Sequence, residues 1–276
     1  MTAHSSEVRV WARRALLVLG LAAGITVTGI ALQKTGAEAQ QADVPIIAAA
    51  ADLKFAVAEI AEAYKAETGK EVKLSFGSTG NFTTQIRQGA PFQMFMAADE
   101  KYVLDLAGEG LTRDDGTLYA QGRIVIITPH GSTLKADGSL ESLKAALAAG
   151  TITHFAIANP DHAPYGVRAR EALQHAGLWQ AVEPKLVLGE NVSQAAQFAT
   201  SGDAQGGIIA YSLALSNEVS ALGEYELIPA DWHAPLNQRM ALLKSAGPLA
   251  EEFYAYINAP AARAIMKKYG FVLPGE

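Results

Sequence analysis

The stretch FGSTGN, residues 76–81, decides the fold and points to a ligand site. It follows a short alternating pattern in which Val72, Leu74 and Phe76 are apolar, and it precedes a pattern that predicts a helix. A glycine- and hydroxyl-rich turn therefore joins the carboxyl end of a strand to the amino end of a helix. In an open α/β sheet ligands bind at such turns, and amide N–H groups without an acidic neighbour suit an anion. The plainer interpretation of the same stretch is a simple helix cap.

The composition limits the classes of protein to which the chain can belong. It has 276 residues, of which 50% are hydrophobic and 18% charged, enough for one large domain or two small ones. The formal net charge is -6, so a nucleic-acid partner is not expected. The absence of cysteine excludes a disulfide, a thiolate metal site and a lipid-anchored cysteine.

The amino-terminal segment has the features of a secretory signal peptide. Three arginines within the first 14 residues precede an apolar run over residues 15–32, and Ala37-Glu38-Ala39 is a small-x-small cleavage pattern. These features predict a signal peptide over residues 1–39 and export of the remainder to the periplasm. An uncleaved membrane anchor is the alternative, because the apolar run is near the lower limit for a spanning helix.

Strand and helix patterns alternate along the rest of the chain, which predicts an α/β fold with parallel sheets covered on both sides. The predicted strands are residues 44–50, 71–76, 92–97, 123–128, 153–158, 185–188, 206–210, 225–229 and 240–243. The predicted helices are residues 53–68, 81–88, 100–107, 140–149, 167–175, 192–200, 248–258 and 260–269. Nine predicted strands are too many for one small sheet, and we therefore expect two lobes. The predicted boundaries are 40–122 for the first lobe, 123–232 for the second, and 233–276 for a return to the first.

Four strand-to-helix turns share the same character, at residues 48–53, 76–81, 163–167 and 189–193. None of them contains arginine or lysine. If the four turns meet in one cleft, neutral dipoles would hold an anion there. Each helix start contributes roughly 0.3–2 kcal/mol to an anion, and charge-assisted backbone hydrogen bonds contribute about 1.5–3 kcal/mol each. Such a site favours a compact, fully deprotonated anion.

These motifs, in this order, resemble those of the periplasmic molybdate-binding proteins of ABC importers, the ModA family. The matching motifs are AAAADL (48–53), FGST (76–79), QI and GAP (85–91), AAD (97–99), NP and PYG (159–166) and YGF (269–271). The resemblance implies a two-lobed type II periplasmic binding protein fold with a ligand cleft between the lobes. It also implies a monomer without enzymatic activity or cofactor that delivers molybdate or tungstate to an ABC permease in the inner membrane.

Carried over by position, the resemblance implies five ligand contacts: Asp52, Ser78, Thr79, Tyr165 and Val192. At Tyr165 and Val192 the family uses backbone N–H groups, and Thr79 keeps a hydroxyl. Well-known members place a tyrosine hydroxyl where this chain has Ala210, with Tyr211 one residue further on.

Asp52 departs from the family, which has a serine there. Two unit charges about 4 Å apart repel by about 4 kcal/mol at an effective dielectric near 20, and a dianion doubles this repulsion. Three explanations remain open. The carboxylate caps its own helix, or it accepts a proton from a ligand such as a hydrogen-oxyanion or organic acid, or it binds a cation with His154, His162 or Tyr165. A more distant alternative is an exported hydrolase that uses Ser78 or Asp52.

Three further charged side chains have plainer interpretations. Arg168 and Arg170 follow a helix start, and we expect them to be solvated partners of Glu171 rather than clamps for an anion. Asp99 is expected to cap a helix with its charge solvated.

Overall fold

The structure, a computed structural model, describes residues 44–275, so the predicted signal peptide lies outside the described residues. Its strands are β1 (Ile46–Ala50), β2 (Lys73–Gly77), β3 (Phe92–Ala97), β4 (Thr117–Gly122), β5 (Ile124–Pro129), β6 (Phe155–Ala158), β7 (Leu186–Gly189), β8 (Gly207–Ala210), β9 (Gly223–Leu227) and β10 (Leu236–Leu242). Its helices are α1 (Lys54–Thr68), α2 (Thr79–Arg87), α3 (Glu100–Gly108), α4 (Glu141–Ala148), α5 (Pro164–His175), α6 (Trp179–Val182), α7 (Val192–Thr200), α8 (Tyr211–Ala214), α9 (Asn217–Ser220), α10 (Pro248–Ile257) and α11 (Pro260–Lys268). Short 3-10 turns cover Ala51–Leu53, Glu183–Lys185 and Ala230–Trp232.

The strands form two sheets of five, with the orders β2-β1-β3-β10-β4 and β7-β6-β8-β5-β9. Both sheets are mixed, because β10 runs antiparallel to β3 and β4, and β5 runs antiparallel to β8 and β9. The prediction of parallel sheets is therefore wrong for one strand in each sheet. The reason is the connection between the sheets. Gly122-Arg123 leads directly from β4 into β5, and β10 returns to the first sheet, so neither strand follows a helical crossover within its own sheet.

The best-predicted elements owe their form to apolar runs and to clear end signals. In β5 the four residues Ile124–Ile127 are fully buried, as expected for a strand covered on both faces. Helix α1 buries Val57, Ile60 and Tyr64 along one face. It ends at Gly69, whose φ of 71° lies in the left-handed region and whose N–H donates to Lys65 O at 2.9 Å.

Several boundaries differ from those predicted, for local reasons. Helix α5 begins at Pro164 rather than at residue 167, since proline suits the first helical position. Helix α2 begins at Thr79 because Ser78 caps it. Strand β4 was not predicted. The prediction for β10 began too late, at residue 240, because residues 237–239 are polar and give no apolar pattern. Among residues 44–275, no helix combines the length and the apolar character needed to cross a membrane.

Candidate ligand-binding site

A small cavity lies between the two sheets, and all five predicted contact residues line it. Its lining comes from both halves of the fold: Ala50, Ala51, Asp52, Gly77, Ser78, Thr79, Ala98, Ala163, Pro164, Tyr165, Asn191 and Val192. The four turns singled out in the sequence therefore do meet. The cavity is too small for a drug-sized ligand, so it suits a small solute.

Residues at three helix starts line this cavity. Thr79 and Val192 are the first residues of α2 and α7, and Tyr165 is the second residue of α5. Amides at these positions have no carbonyl acceptor within their own helix, and each helix start carries a partial positive charge. No lysine or arginine occurs in the lining. The cavity therefore offers neutral donors, as a site for a small anion requires.

Two hydroxyls add to these amides. Thr79 Oγ1 accepts from the amide of Ala98 at 3.1 Å, which leaves the hydroxyl proton of Thr79 available to a ligand. Ser78 Oγ accepts from the amide of Asn81 at 3.3 Å and lies 3.0 Å from Nδ1 of His162. The direction of the proton between Ser78 and His162 follows from the tautomer of the histidine.

The carboxyl group of Asp52 is buried, and its two oxygens have different surroundings. Oδ2 accepts from the Tyr165 hydroxyl at 3.1 Å and from Nε2 of Gln238 at 2.6 Å. Oδ1 is buried and has no hydrogen-bond partner among the described residues. Burial raises the pKa of Asp52 to about 6, although the bonds from Gln238 and Tyr165 act in the opposite direction.

The expectation that Asp52 caps its own helix is wrong. Asp52 is the middle residue of the 3-10 turn Ala51–Leu53, and α1 begins after it at Lys54 without a side-chain cap. The carboxyl group instead reaches α5 and β10, so the charge problem posed by the sequence persists in the structure.

The network that holds Asp52 includes residues that the sequence did not reveal. The Tyr119 hydroxyl donates to Oε1 of Gln238 at 2.8 Å, and Ser212 Oγ donates to the backbone oxygen of Asp52 at 2.8 Å. Gln238 is completely buried. A signal for it did exist, because Leu236, Gln238 and Met240 alternate along β10 and all three face the interior.

Comparison with known proteins places the chain in a family. The family model for bacterial extracellular solute-binding proteins matches residues 46–272. The chain belongs to this family. The molybdate-binding protein ModA of Rhodobacter capsulatus is 35% identical over 257 residues, covering 92% of this chain and 95% of that protein. The ModA of Azotobacter vinelandii is 33% identical over 265 residues, covering 93% and 97%.

A solved structure supports the fold of this solute-binding protein. The periplasmic molybdate-binding protein of Azotobacter vinelandii matches it with a TM-score of 0.75 and 29% identity, over 84% of this chain and all of that chain. The two-lobed periplasmic binding protein fold is thereby confirmed. Solute-binding proteins are not enzymes, so the alternative of an exported hydrolase is not supported.

The two lobes of the solute-binding protein touch directly beside the cavity. The amide of Gly80 donates to the backbone oxygen of His162 at 2.9 Å, and the side chain of Asn81 donates to Glu190. These contacts join the start of α2 to the loops that precede α5 and α7. In this structure the two lobes are therefore in direct contact.

Arg168 also links the lobes, which corrects its predicted role. Its guanidinium contacts Glu171 at 2.9 Å, as expected, but also Asp99 at 2.7 Å. The side chain is only 11% exposed. The charges of Arg168 and Asp99 are thus paired and largely buried rather than solvated.

A cation site has no support among the described residues. His154 is exposed and does not line the cavity, and no group of three metal-ligating side chains occurs within residues 44–275. Ala210 is fully buried at the end of β8, and the ring of Tyr211 packs against Gly270 and Tyr225. Neither residue lines the cavity, so no tyrosine hydroxyl reaches it from α8.

Proposed function

We propose that this solute-binding protein binds a compact tetrahedral oxyanion, molybdate or tungstate, and delivers it to an ABC permease in the inner membrane. The observation that carries the proposal is the convergence of three helix starts and two hydroxyls on a small cavity without lysine or arginine. Charge-assisted bonds from several such donors, at about 1.5–3 kcal/mol each, are sufficient to hold a small anion. The names of the relatives give the same ligand class.

In this proposal, the backbone amides of Tyr165 and Val192 and the hydroxyls of Ser78 and Thr79 bind the ligand oxygens. The carboxyl group of Asp52 completes the set. The identity of the side chain matters less at Tyr165 and Val192, since their amides make the contact.

The transport role implies a division of the chain into lobes and an exported location. We assign residues 40–122 and 233–276 to the first lobe and 123–232 to the second. The pairing of β10 with β3 and β4 supports this assignment. Residues 1–39 would direct the protein to the periplasm, where it would work as a monomer and present its closed lobes to the permease. A relative in Bacillus subtilis carries the name of a putative ABC transporter substrate-binding lipoprotein.

A second candidate keeps the transport role and changes the ligand to a hydrogen-oxyanion or a small organic acid. The unpartnered Oδ1 of Asp52 favours it, because an ionised carboxylate in that position would accept a proton from such a ligand.

Calorimetry at pH 6 with molybdate, tungstate, sulfate and phosphate tests the proposed function. We expect molybdate or tungstate at 100 times its dissociation constant to raise the free energy of unfolding by about 2.7 kcal/mol. Thr79→Val should weaken binding about tenfold or more, because it removes a hydroxyl that faces the cavity. Thr84→Val is the matched control, since Thr84 lies on the exposed side of the same helix. An absence of binding to all four ions would refute the proposed function.

A further inference from the structure

The starting observation is an unequal division of hydrogen bonds at Asp52. Both donors that reach its carboxyl group bind Oδ2, and Oδ1 has none, although Asp52 is only 1% exposed. Asp52 lines the cavity; of the two donors to Oδ2, Tyr165 also lines it and Gln238 does not. Oδ1 is thus the oxygen that remains for a ligand. A buried polar atom without a partner is costly, so a ligand that supplied one would gain affinity.

The groups packed around the Asp52 side chain carry no positive charge. They are the phenols of Tyr119 and Tyr165, the amide of Gln238 and the hydroxyl of Ser212. The pKa values of both tyrosines are raised well above their usual value, chiefly by burial, so the phenols stay neutral. No lysine, arginine or histidine donates a hydrogen bond to the Asp52 side chain among the described residues.

An oxyanion and an ionised Asp52 would therefore repel each other with no cation between them. Burial already raises the pKa of Asp52 to about 6 in the absence of ligand, and a neighbouring anion shifts it further upward. A protonated carboxyl group removes the repulsion and turns Oδ1 from an acceptor into a donor.

We propose that Asp52 is protonated in the loaded protein and that its Oδ1–H group donates a hydrogen bond to an oxygen of the ligand. This proposal rests on the proposed function and specifies how the same site takes its ligand. Each fully deprotonated oxyanion then enters with one proton, which Asp52 takes from solution. A hydrogen-oxyanion, such as monohydrogen phosphate, brings that proton itself and leaves Asp52 ionised as the acceptor.

The pH dependence of tungstate binding, measured by calorimetry between pH 5.5 and 8.5, tests the proposal. One proton taken up per ion weakens binding tenfold for each pH unit above the pKa of the free carboxyl group, or roughly 100-fold from pH 6.5 to 8.5. Titrations at pH 8 in two buffers of different ionisation enthalpy should show the uptake of about one proton per tungstate. If monohydrogen phosphate binds, the number of protons taken up per ion should be close to zero.

Asp52→Asn supplies the decisive comparison, because its amide oxygen can accept from Tyr165 and Gln238 while its NH₂ group donates to the ligand. We expect this variant to bind tungstate with no pH slope, and about 300-fold more tightly than the unsubstituted chain at pH 8.5. His162 also lies beside the cavity, through its contact with Ser78, and its side chain is 3.7 Å from Glu190. His162→Gln should retain the slope.

The outcomes separate the two proposals. Tungstate binding that is independent of pH, without proton uptake, overturns the role of Asp52 and leaves the proposed function standing. A slope that persists in Asp52→Asn and disappears in His162→Gln also overturns it. If neither the unsubstituted chain nor Asp52→Asn binds tungstate or molybdate at any pH, the proposed function fails, and this inference fails with it.

Discussion

Two neighbouring turns of the first lobe occupy equivalent places but present opposite chemistry. β1 and β2 are parallel, and their last residues, Ala50 and Gly77, are register partners. After β2 the chain offers hydroxyls and the amides of a helix start, whereas after β1 it offers the carboxyl group of Asp52. The difference teaches that topology decides which residues face the cavity. Contacts from β10 and α5 then influence whether the carboxyl group of Asp52 is protonated or ionised.

The largest expected effect comes from removing the charge on the β1 side. Burial raises the pKa of Asp52 from its usual 3.8 to about 6, so the fold favours the protonated form. This contribution to stability is complete below about pH 3.8 and is lost as the pH rises through 6. A shift of about two units corresponds to about 3 kcal/mol. Between pH 4 and pH 8, the free energy of unfolding of ligand-free Asp52→Asn should therefore gain about 2.5 kcal/mol relative to the unsubstituted chain.

Urea denaturation at pH 4, 6 and 8 measures this difference. Asp161→Asn, at an exposed position in the loop before α5, is the matched control and should show no comparable trend. A constant difference between Asp52→Asn and the unsubstituted chain at all three pH values would contradict the raised pKa.

The next effect concerns the β2 side, where α2 meets the second lobe. A Cβ atom on Gly80 would lie 2.7 Å from the backbone oxygen of His162, so Gly80→Ala should prevent the lobes from closing fully. We expect molybdate to bind about 30-fold more weakly. The ligand-free protein should not lose stability, because alanine is favoured over glycine in a helix by up to about 1 kcal/mol.

Gly108→Ala provides the control for this change, since Gly108 is also helical and has open space around the added atom. It should leave the dissociation constant unchanged in calorimetry. Equal affinity of Gly80→Ala and the unsubstituted chain would show that the closed contact between Gly80 and His162 is not needed for binding.

The smallest expected effect removes one donor from Asp52. Tyr165→Phe deletes a hydrogen bond to Oδ2, so the pKa of Asp52 should rise further. The free energy of unfolding should fall by about 1.5 kcal/mol at pH 8, where the carboxylate needs the donor, and by less at pH 4. Tyr102→Phe serves as the control, because the hydroxyl of Tyr102 makes no hydrogen bond among the described residues. An equal loss at both pH values would mean that Tyr165 acts through packing alone.

The sequence predicted the position of the site better than its chemistry. The turns converge because parallel strands bring their carboxyl ends to one edge, and this follows from the alternation of strand and helix patterns. The role of Asp52 could not be read locally. It depends on Tyr165 and Gln238, which lie 113 and 186 residues away in the chain. A local rule offered a helix cap as one of three explanations for Asp52, whereas tertiary contacts determine its actual bonds.

The strands that the sequence did not reveal also depend on contacts between residues far apart in the chain. β4 and the first half of β10 contain polar residues whose hydrogen-bond partners are distant in the sequence. For example, Gln121 bonds to Asn237 at 3.4 Å and Tyr119 bonds to Gln238. Apolar periodicity does not reveal such strands, because their pairing partners are distant in sequence.

The crossing between the lobes has a consequence for any attempt to redesign ligand preference. Gly122 ends β4 just before the chain enters the second lobe, and a Cβ atom there would lie only 2.2 Å from the Tyr165 hydroxyl. The polypeptide linking the two halves is therefore also a wall of the pocket that holds the phenol. Any side chain at position 122 would push Tyr165 off Asp52. A redesign should keep this glycine and vary the residues across the cavity instead.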